Sequence, residues 1–245
     1  MRYRALIEYD GTDYFGFQRQ LKQFPTIQGE LEKALAQLAE EPVTITGAGR
    51  TDRGVHASGQ VVSFDLGWRH GAAALQRAIN TNLPPDIVIP ELQEAEPDFH
   101  PRFDAKRRAY KYYIYNAAER SPIRRRQSWH VKRPLNLTQM NQAAASLIGE
   151  HDFATFGQPP QGTNTVREVF RAEWQKQEPF LVFTIQANAF LYRMVRSLVG
   201  SLKLVGDGSW QVSQFVDAFR DCDRSLCGMV APPSGLFLVE VTYSG

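Results

Sequence analysis

Cysteine is nearly absent: only Cys222 and Cys227 occur in 245 residues. So few thiols exclude a disulfide framework and a cysteine-based zinc site, and they read as a free pair in a reducing compartment, the cytoplasm. The five histidines, His56, His70, His100, His130 and His151, are scattered without ligand spacing, so no metal site is expected. No apolar run is long enough to span a bilayer, and the start Met1-Arg2-Tyr3-Arg4-Ala5-Leu6 lacks a signal-peptide core. No Gly-x-x-x-x-Gly-Lys-Ser/Thr stretch is present, which argues against a P-loop phosphate cradle. What remains is an ordinary globular composition, 43% hydrophobic and 22% charged, in a chain long enough for one large domain or two small ones.

Charge is present but uneven. The net value of +2 conceals a stretch from Arg102 to Arg133 with eleven Lys or Arg against two acids, Asp104 and Glu119. The segment before it, Asp86 to Asp98, is acidic. A dense basic band favours a polyanionic partner through counterion release, although many such runs are only solvated surface. Here Phe103, Tyr110, Tyr112, Tyr113, Tyr115 and Trp129 are interleaved with the cations. Phosphate contacts combined with base stacking suit RNA.

Periodicity gives the coarse architecture. Residues 2–9 read as a strand ended by Asp10-Gly11, and Thr26 caps a helix through Leu38 with Ile27, Leu31, Leu35 and Leu38 on one face. Strands are expected at Val43–Thr46 and Gln60–Leu66, a helix at Ala72–Ile79 stopped by Asn82-Leu83-Pro84-Pro85, and a strand at Ile87–Leu92. The second half repeats the order: strand Ala109–Tyr115, helix Leu137–Ile148 capped by Asn136, and a hairpin of Val166–Gln175 and Leu181–Ala187 around Glu178-Pro179. Helices at Phe190–Leu204 and Val212–Phe219 and a strand at Leu236–Tyr243 complete it. The expected class is α+β: two ferredoxin-like, βαββαβ-type halves with mainly antiparallel sheets, helices on one face and a basic catalytic cleft between them. The expected division is 1–104, carrying the Asp52 loop, and 105–245, carrying the Tyr110 strand and a basic helix.

The loop Gly47-Ala48-Gly49-Arg50-Thr51-Asp52-Arg53-Gly54-Val55-His56 is the chemically suggestive segment. Glycines let a ligand approach the backbone, and an arginine on each side of Asp52 favours its ionised form, as a nucleophile or base needs. The residue types alone leave a second reading open, in which Asp52 only organises the turn.

The whole segment Gly49–Ala57 resembles the signature of the TruA family of tRNA pseudouridine synthases. Four further motifs agree in order: Glu8-Tyr9-Asp10-Gly11-Thr12-Asp13-Tyr14-Phe15-Gly16-Phe17-Gln18, then Asp98-Phe99-His100-Pro101-Arg102-Phe103 with Arg108-Ala109-Tyr110-Lys111-Tyr112, then Asn188-Ala189-Phe190-Leu191-Tyr192-Arg193-Met194-Val195-Arg196, and Ala231-Pro232-Pro233-Ser234-Gly235-Leu236. Two positions depart from the family pattern, Arg53 where Ala is frequent and Phe17 where Trp is usual.

The resemblance implies isomerisation of uridine to pseudouridine at positions 38, 39 or 40 of the tRNA anticodon stem-loop, without cofactor or metal. It implies Asp52 as the nucleophile acting on a flipped-out uridine, with Arg50 filling the space the base vacates. Tyr110 would pack on the uracil, against the alternative of an ordinary strand aromatic, and Tyr112 keeps that ordinary reading. Arg196 would pair with Asp52 and hold it ionised. Arg193, Arg196 and Lys203, through Gly200, would form one basic stripe opposite Met194, Leu198, Leu202 and Val205, with Lys203 solvated. Arg53 and Arg193 are expected to contact substrate, Arg53 through phosphate. A homodimer with tRNA spanning both subunits is expected, and the loop Gly157–Asn164 reads as a mobile RNA contact. Two rivals are a noncatalytic RNA-binding protein, indifferent to Asp52→Ala, and a metal-dependent nuclease, which would need clustered carboxylates.

Overall fold

The computed structural model describes every residue except Lys22, Glu40, Pro160 and Gly245. Pro160, in the expected RNA-contact loop, thus lies outside the described residues. In chain order the elements are β1 (Arg2–Tyr9), α1 (Ile27–Ala39), β2 (Thr46–Gly47), β3 (His56–Asp65), α2 (Ala72–Asn82), β4 (Ile87–Glu94), β5 (Arg107–Asn116), β6 (Trp129–Val131), α3 (Leu137–Ala144), β7 (Gly149–Asp152), β8 (Val166–Gln177), β9 (Phe180–Ala187), α4 (Met194–Gly206), α5 (Val212–Arg220) and β10 (Leu236–Thr242). The class is α+β with mostly antiparallel pairing; only β3·β10 and β5·β6 are recorded as parallel pairs among the described residues. Two compact units result: Met1–Lys106 with Phe237–Gly245, and Arg107–Leu236.

In the first unit, β1 buries Tyr3, Ala5, Ile7 and Tyr9, every second side chain, as a half-covered strand should. Thr26 Oγ1 accepts from the Gly29 amide at 3.2 Å and starts α1, which buries Ile27, Leu31 and Leu35. Strand order is β4-β1-β3, with β2 and β10 sharing the far edge of β3. This is the strand order of a ferredoxin-like unit, with its second strand cut to two residues. Of the strand expected at Val43–Thr46 only Thr46 pairs, in β2, because α1 claims the backbone before it: Glu32 Oε1 accepts from the Ile45 amide at 3.2 Å and Gln28 donates to the Ile45 carbonyl at 3.3 Å.

In the second unit the order is β6-β5-β9-β8-β7. Asn136 caps α3 by accepting from the Gln139 amide, and the last turn expected of that helix tightens to a 3-10 turn at Ala145–Leu147. Met140, Leu198, Leu202, Val205, Phe215, Trp174 and Phe183 form the core between helices and sheet. Three features differ from expectation. The last strand groups with the first unit, because it runs parallel to β3 with Phe237 opposite His56 and Leu238 opposite Ala57. Helix α4 starts at Met194 rather than Phe190, since Tyr192 donates its amide to Gln158 O and Arg193 takes the left-handed conformation, φ 60°. The proposed basic stripe does not exist as a stripe: Arg193 precedes the helix, and residues 228–231 run along it, the Ala231 amide donating to Arg196 O and the Gly228 amide to Ser201 Oγ. Lys203 is not a solvated cation either, since it pairs with Asp207 at 2.6 Å.

Among the described residues, no helix is long and apolar enough to cross a membrane, and no group of three or more His, Cys, Asp or Glu side chains could hold a metal ion.

A Cβ at Gly200 would lie 1.6 Å from the Met229 carbonyl oxygen, whereas one at Gly67 would meet nothing within 4 Å. Gly200→Ala should therefore destabilise by roughly 3 kcal/mol, lowering Tm by roughly 5–10 °C, while Gly67→Ala leaves Tm within about 2 °C of the parent in thermal melts. Burial pushes the Asp207 carboxyl up, but hydrogen bonds from Lys203 and Ser209 outweigh it and hold the group below the usual carboxylate range. Its folded value being depressed, its contribution is full above the unfolded carboxylate value and fades as pH falls through the lower folded one. Acid titrations of stability should show that loss in the parent and a smaller one in Asp207→Asn.

Candidate active site

The Asp52 loop sits between β2 and β3, and the segment after β1 folds across it. The Phe17 amide donates to Thr51 O at 3.0 Å, and the Tyr9 hydroxyl meets Thr51 Oγ1 at 2.8 Å. Both side chains of that second contact are buried, so the pair is exchanged for no water bond. On the other flank the Val55 amide closes a turn on Asp52 O at 3.1 Å, the Ala48 amide donates to Val61 O, and Gln60 donates to Gly49 O at 2.8 Å. The backbone on both sides of Asp52 is thereby fixed.

Close approach explains the glycines of the opening motif. A Cβ on Gly11 would stand 2.0 Å from Val55 O, and one on Gly16, at φ +99°, would stand 2.9 Å from Thr51 O. His56 Nδ1 lies 3.1 Å from the Gly11 amide and 3.1 Å from Asp10 Oδ1, so the ring sits between the opening motif and its own loop. The His56 ring stacks on Phe237 at 4.5 Å. The same segment is moored to the end of the α2–β4 loop: Tyr14 donates to Asp86 Oδ1 at 2.6 Å and the Asp10 amide to Asp86 O. Burial, reinforced by Asp86, pushes the Tyr14 phenol well up, so it stays a donor.

The structure places the three loop candidates on one short stretch. Asp52 is half-buried, Arg50 is exposed, and Arg53 is exposed with its guanidinium 4.1 Å from the Phe15 ring centroid. The other three candidates lie in the second unit. Tyr110, 8% exposed on β5, meets Phe190 edge-on at 4.9 Å. Arg196, in the first turn of α4, is half-buried and its Nε donates to Ala231 O at 2.8 Å. Arg193 is exposed and lies over the Tyr192 ring at 4.9 Å. Asn188, which opens the late motif, is knitted to β8 and β5: it exchanges bonds with Glu168 and takes one from Arg108. Tyr112 is fully buried and donates to Pro232 O at 2.8 Å, so its place is structural; burial holds its phenol far above the ordinary value, against a smaller pull from Arg196.

Comparison with known proteins decides the class to which these elements belong. A family model described as tRNA pseudouridine synthase matches residues 5–104 and 143–244. The chain is 42% identical over 239 residues to the tRNA pseudouridine synthase A of Thermoanaerobacter sp. (strain X514), covering 97% of this chain and 98% of that one. It is 43% identical over 244 residues to that of Aeromonas hydrophila, covering 99% and 90%, and 42% identical over 246 residues to that of Rhizobium meliloti, covering 99% of each. The chain belongs to the TruA family of tRNA pseudouridine synthases. It is therefore an isomerase of RNA-modifying type.

For a TruA-family chain, the sequence reading missed how the family's opening motif is used. Tyr9, Gly11, Gly16 and Phe17 hold the Asp52 loop, a role carried by backbone contacts that no residue spacing announces. The paired glycines at 11 and 16 were the available signal. Phe17, the departure from Trp, packs with its ring edge where a Cβ on Gly47 would be, 2.5 Å from it.

If the loop must be held in place, Gly11→Ala should displace Val55 and lower pseudouridine formation by roughly tenfold or more in single-turnover assays, at unchanged Asp52. Unchanged turnover in a folded Gly11→Ala protein would show that the clamp is only structural.

Proposed function

We propose that this enzyme converts uridine to pseudouridine at position 38, 39 or 40 of the tRNA anticodon stem-loop, with Asp52 as nucleophile on a flipped-out uridine. The supporting observation is the fixation of the backbone on both sides of Asp52, from Ala48 to His56, within a loop whose sequence matches the family signature. A connection that merely turned the chain would not require contacts from β1, from the segment following it and from β3.

In the reaction the bond from N1 to the ribose C1′ breaks, C5 joins C1′, the C5 proton leaves and N1 takes one up. The step balances without oxidant or reductant. Asp52 supplies the carboxylate, and preorganisation of its loop reduces the entropy of reaching the sugar. Arg50, exposed on the same loop, is assigned to the space left by the base, where a cation offsets part of the few kcal/mol of unstacking. Tyr110 packs on the uracil, and Phe190, edge-on behind it, fixes the plane of its ring. Arg196 is assigned to keep Asp52 ionised, and its Nε bond to Ala231 O restrains the guanidinium fork that would serve a carboxylate. Arg193 and Arg53 are assigned to RNA contacts, Arg53 restrained by its stacking on Phe15. The working form is assigned as a cytoplasmic homodimer with tRNA across both subunits, and the loop Gly157–Asn164 as a further RNA contact.

Transfer RNA bearing tritium at uridine C5 gives the test, because isomerisation must release that label. The parent should release it from the anticodon stem-loop, Asp52→Asn should reduce release by roughly a thousandfold or more with tRNA binding retained, and EDTA should change nothing. Release by Asp52→Asn at the parental rate, or none by the parent from any tRNA, would overturn the proposal.

A further inference from the structure

The excursion from β5 to β6 carries Arg120, Arg124, Arg125 and Arg126, and the reaction described above uses none of them. Its base is rigid. Parallel pairing sets Tyr115 opposite His130, and their rings lie 5.8 Å apart. His130 Nε2 is 2.8 Å from Ala117 O, a carbonyl that can only accept, so this nitrogen holds a proton. Two bonds onto the Arg124 carbonyl, from the Gln127 amide and Ser128 Oγ, close the turn.

Arg124 is engaged in holding this shape. Its guanidinium lies 5.2 Å from the Tyr115 ring centroid and 5.9 Å from that of Phe180, and it also donates to Ser121 Oγ. Arg120 and Arg125 are placed differently: with Tyr115, Ser121, Ser128 and His130 they line an open concavity of about 70 Å³. Among the described residues neither forms an ion pair. Two arginines lining one concavity without a carboxylate concentrate positive charge there, and an anion would relieve their repulsion. Arginines and two rings lining the same concavity suit a phosphodiester whose sugar or base rests on Tyr115 and His130.

We propose that this concavity is a backbone-phosphate site for the substrate tRNA, away from the uridine being isomerised. The inference rests on the reading of Tyr110 as the residue beside that uridine. Tyr110 and Tyr115 are five residues apart on β5, roughly 17 Å along the strand, and their side chains leave it on opposite faces. One nucleotide cannot reach both places. The pocket therefore positions the RNA body and takes no part in the chemistry.

The test uses the full chain and whole tRNA, with binding measured across a salt series and turnover measured separately. Arg120→Ala/Arg125→Ala should raise Kd and KM roughly tenfold, reduce the slope of log K against log salt by about two, and leave kcat and Tm at parental values. Lys132→Ala/Arg133→Ala, two exposed cations of the same basic band outside the pocket lining, is the control and should lose clearly less affinity. A pocket variant that binds like the parent, or no worse than the control, overturns the proposal. Binding is read without turnover, so this outcome is separate from a parent that releases no tritium, which would overturn the reading of the active site instead.

Discussion

The first unit depends on the double hold upon Thr51. Its carbonyl takes the Phe17 amide and its hydroxyl meets that of Tyr9, so one residue ties the end of β1 and the segment after it to the loop that carries Asp52. The neighbours follow from this tie. With Phe17 seated against Gly47 and Gly16 against Thr51, no side chain larger than hydrogen fits at either glycine. With Gly11 pressed on Val55, its amide falls within reach of His56 Nδ1. Each contact is modest, about 1 kcal/mol for a neutral hydrogen bond, but together they leave the backbone around residue 52 one conformation. A reactive carboxylate gains from such a frame because its position is set before RNA arrives.

The second unit uses the same economy on different elements. Residues 188–193 are drawn out of helix by Gln158 and by packing of Phe190 on Tyr110, so α4 begins only at Met194 and Arg196 falls in its first turn. Arg193 bears the backbone strain of that start, a left-handed conformation unusual for a residue with a Cβ. The segment 228–231 then covers the helix so closely that Gly200 meets backbone rather than side chain. What looked like a stripe of cations is a covered face on which Arg196 is tied by its Nε to Ala231 O and Lys203 to Asp207.

Much of this could be read in the residues because its causes are local. Thr26 and Asn136 cap the helices they precede, and Glu178-Pro179 turns the hairpin between β8 and β9. The five motifs gave the family, and through it the candidate residues. The features that escaped are those fixed across long separations. The loss of strand at 43–45 is due to Glu32 and Gln28, side chains of a helix that precedes it. The parallel pairing of Phe237 with His56 joins positions nearly the whole chain apart, and the late start of α4 is set by Gln158 and Tyr110. The Thr51 clamp escaped for the same reason: its partners Tyr9 and Phe17 are conspicuous as aromatics and silent about what they touch.

If the clamp serves the chemistry, a double-mutant cycle on its buried hydroxyl pair is the most direct measurement. Tyr9→Phe and Thr51→Val each remove one hydroxyl with little change of shape, and kcat and KM for tRNA would be determined for both single variants and the double variant. The expected result is a kcat lowered by roughly fivefold to tenfold in each single variant, no further loss in the double, and an unaltered KM. Parental kcat in the folded double variant would contradict the claim that the fixed loop, and not only the carboxylate it bears, makes the site.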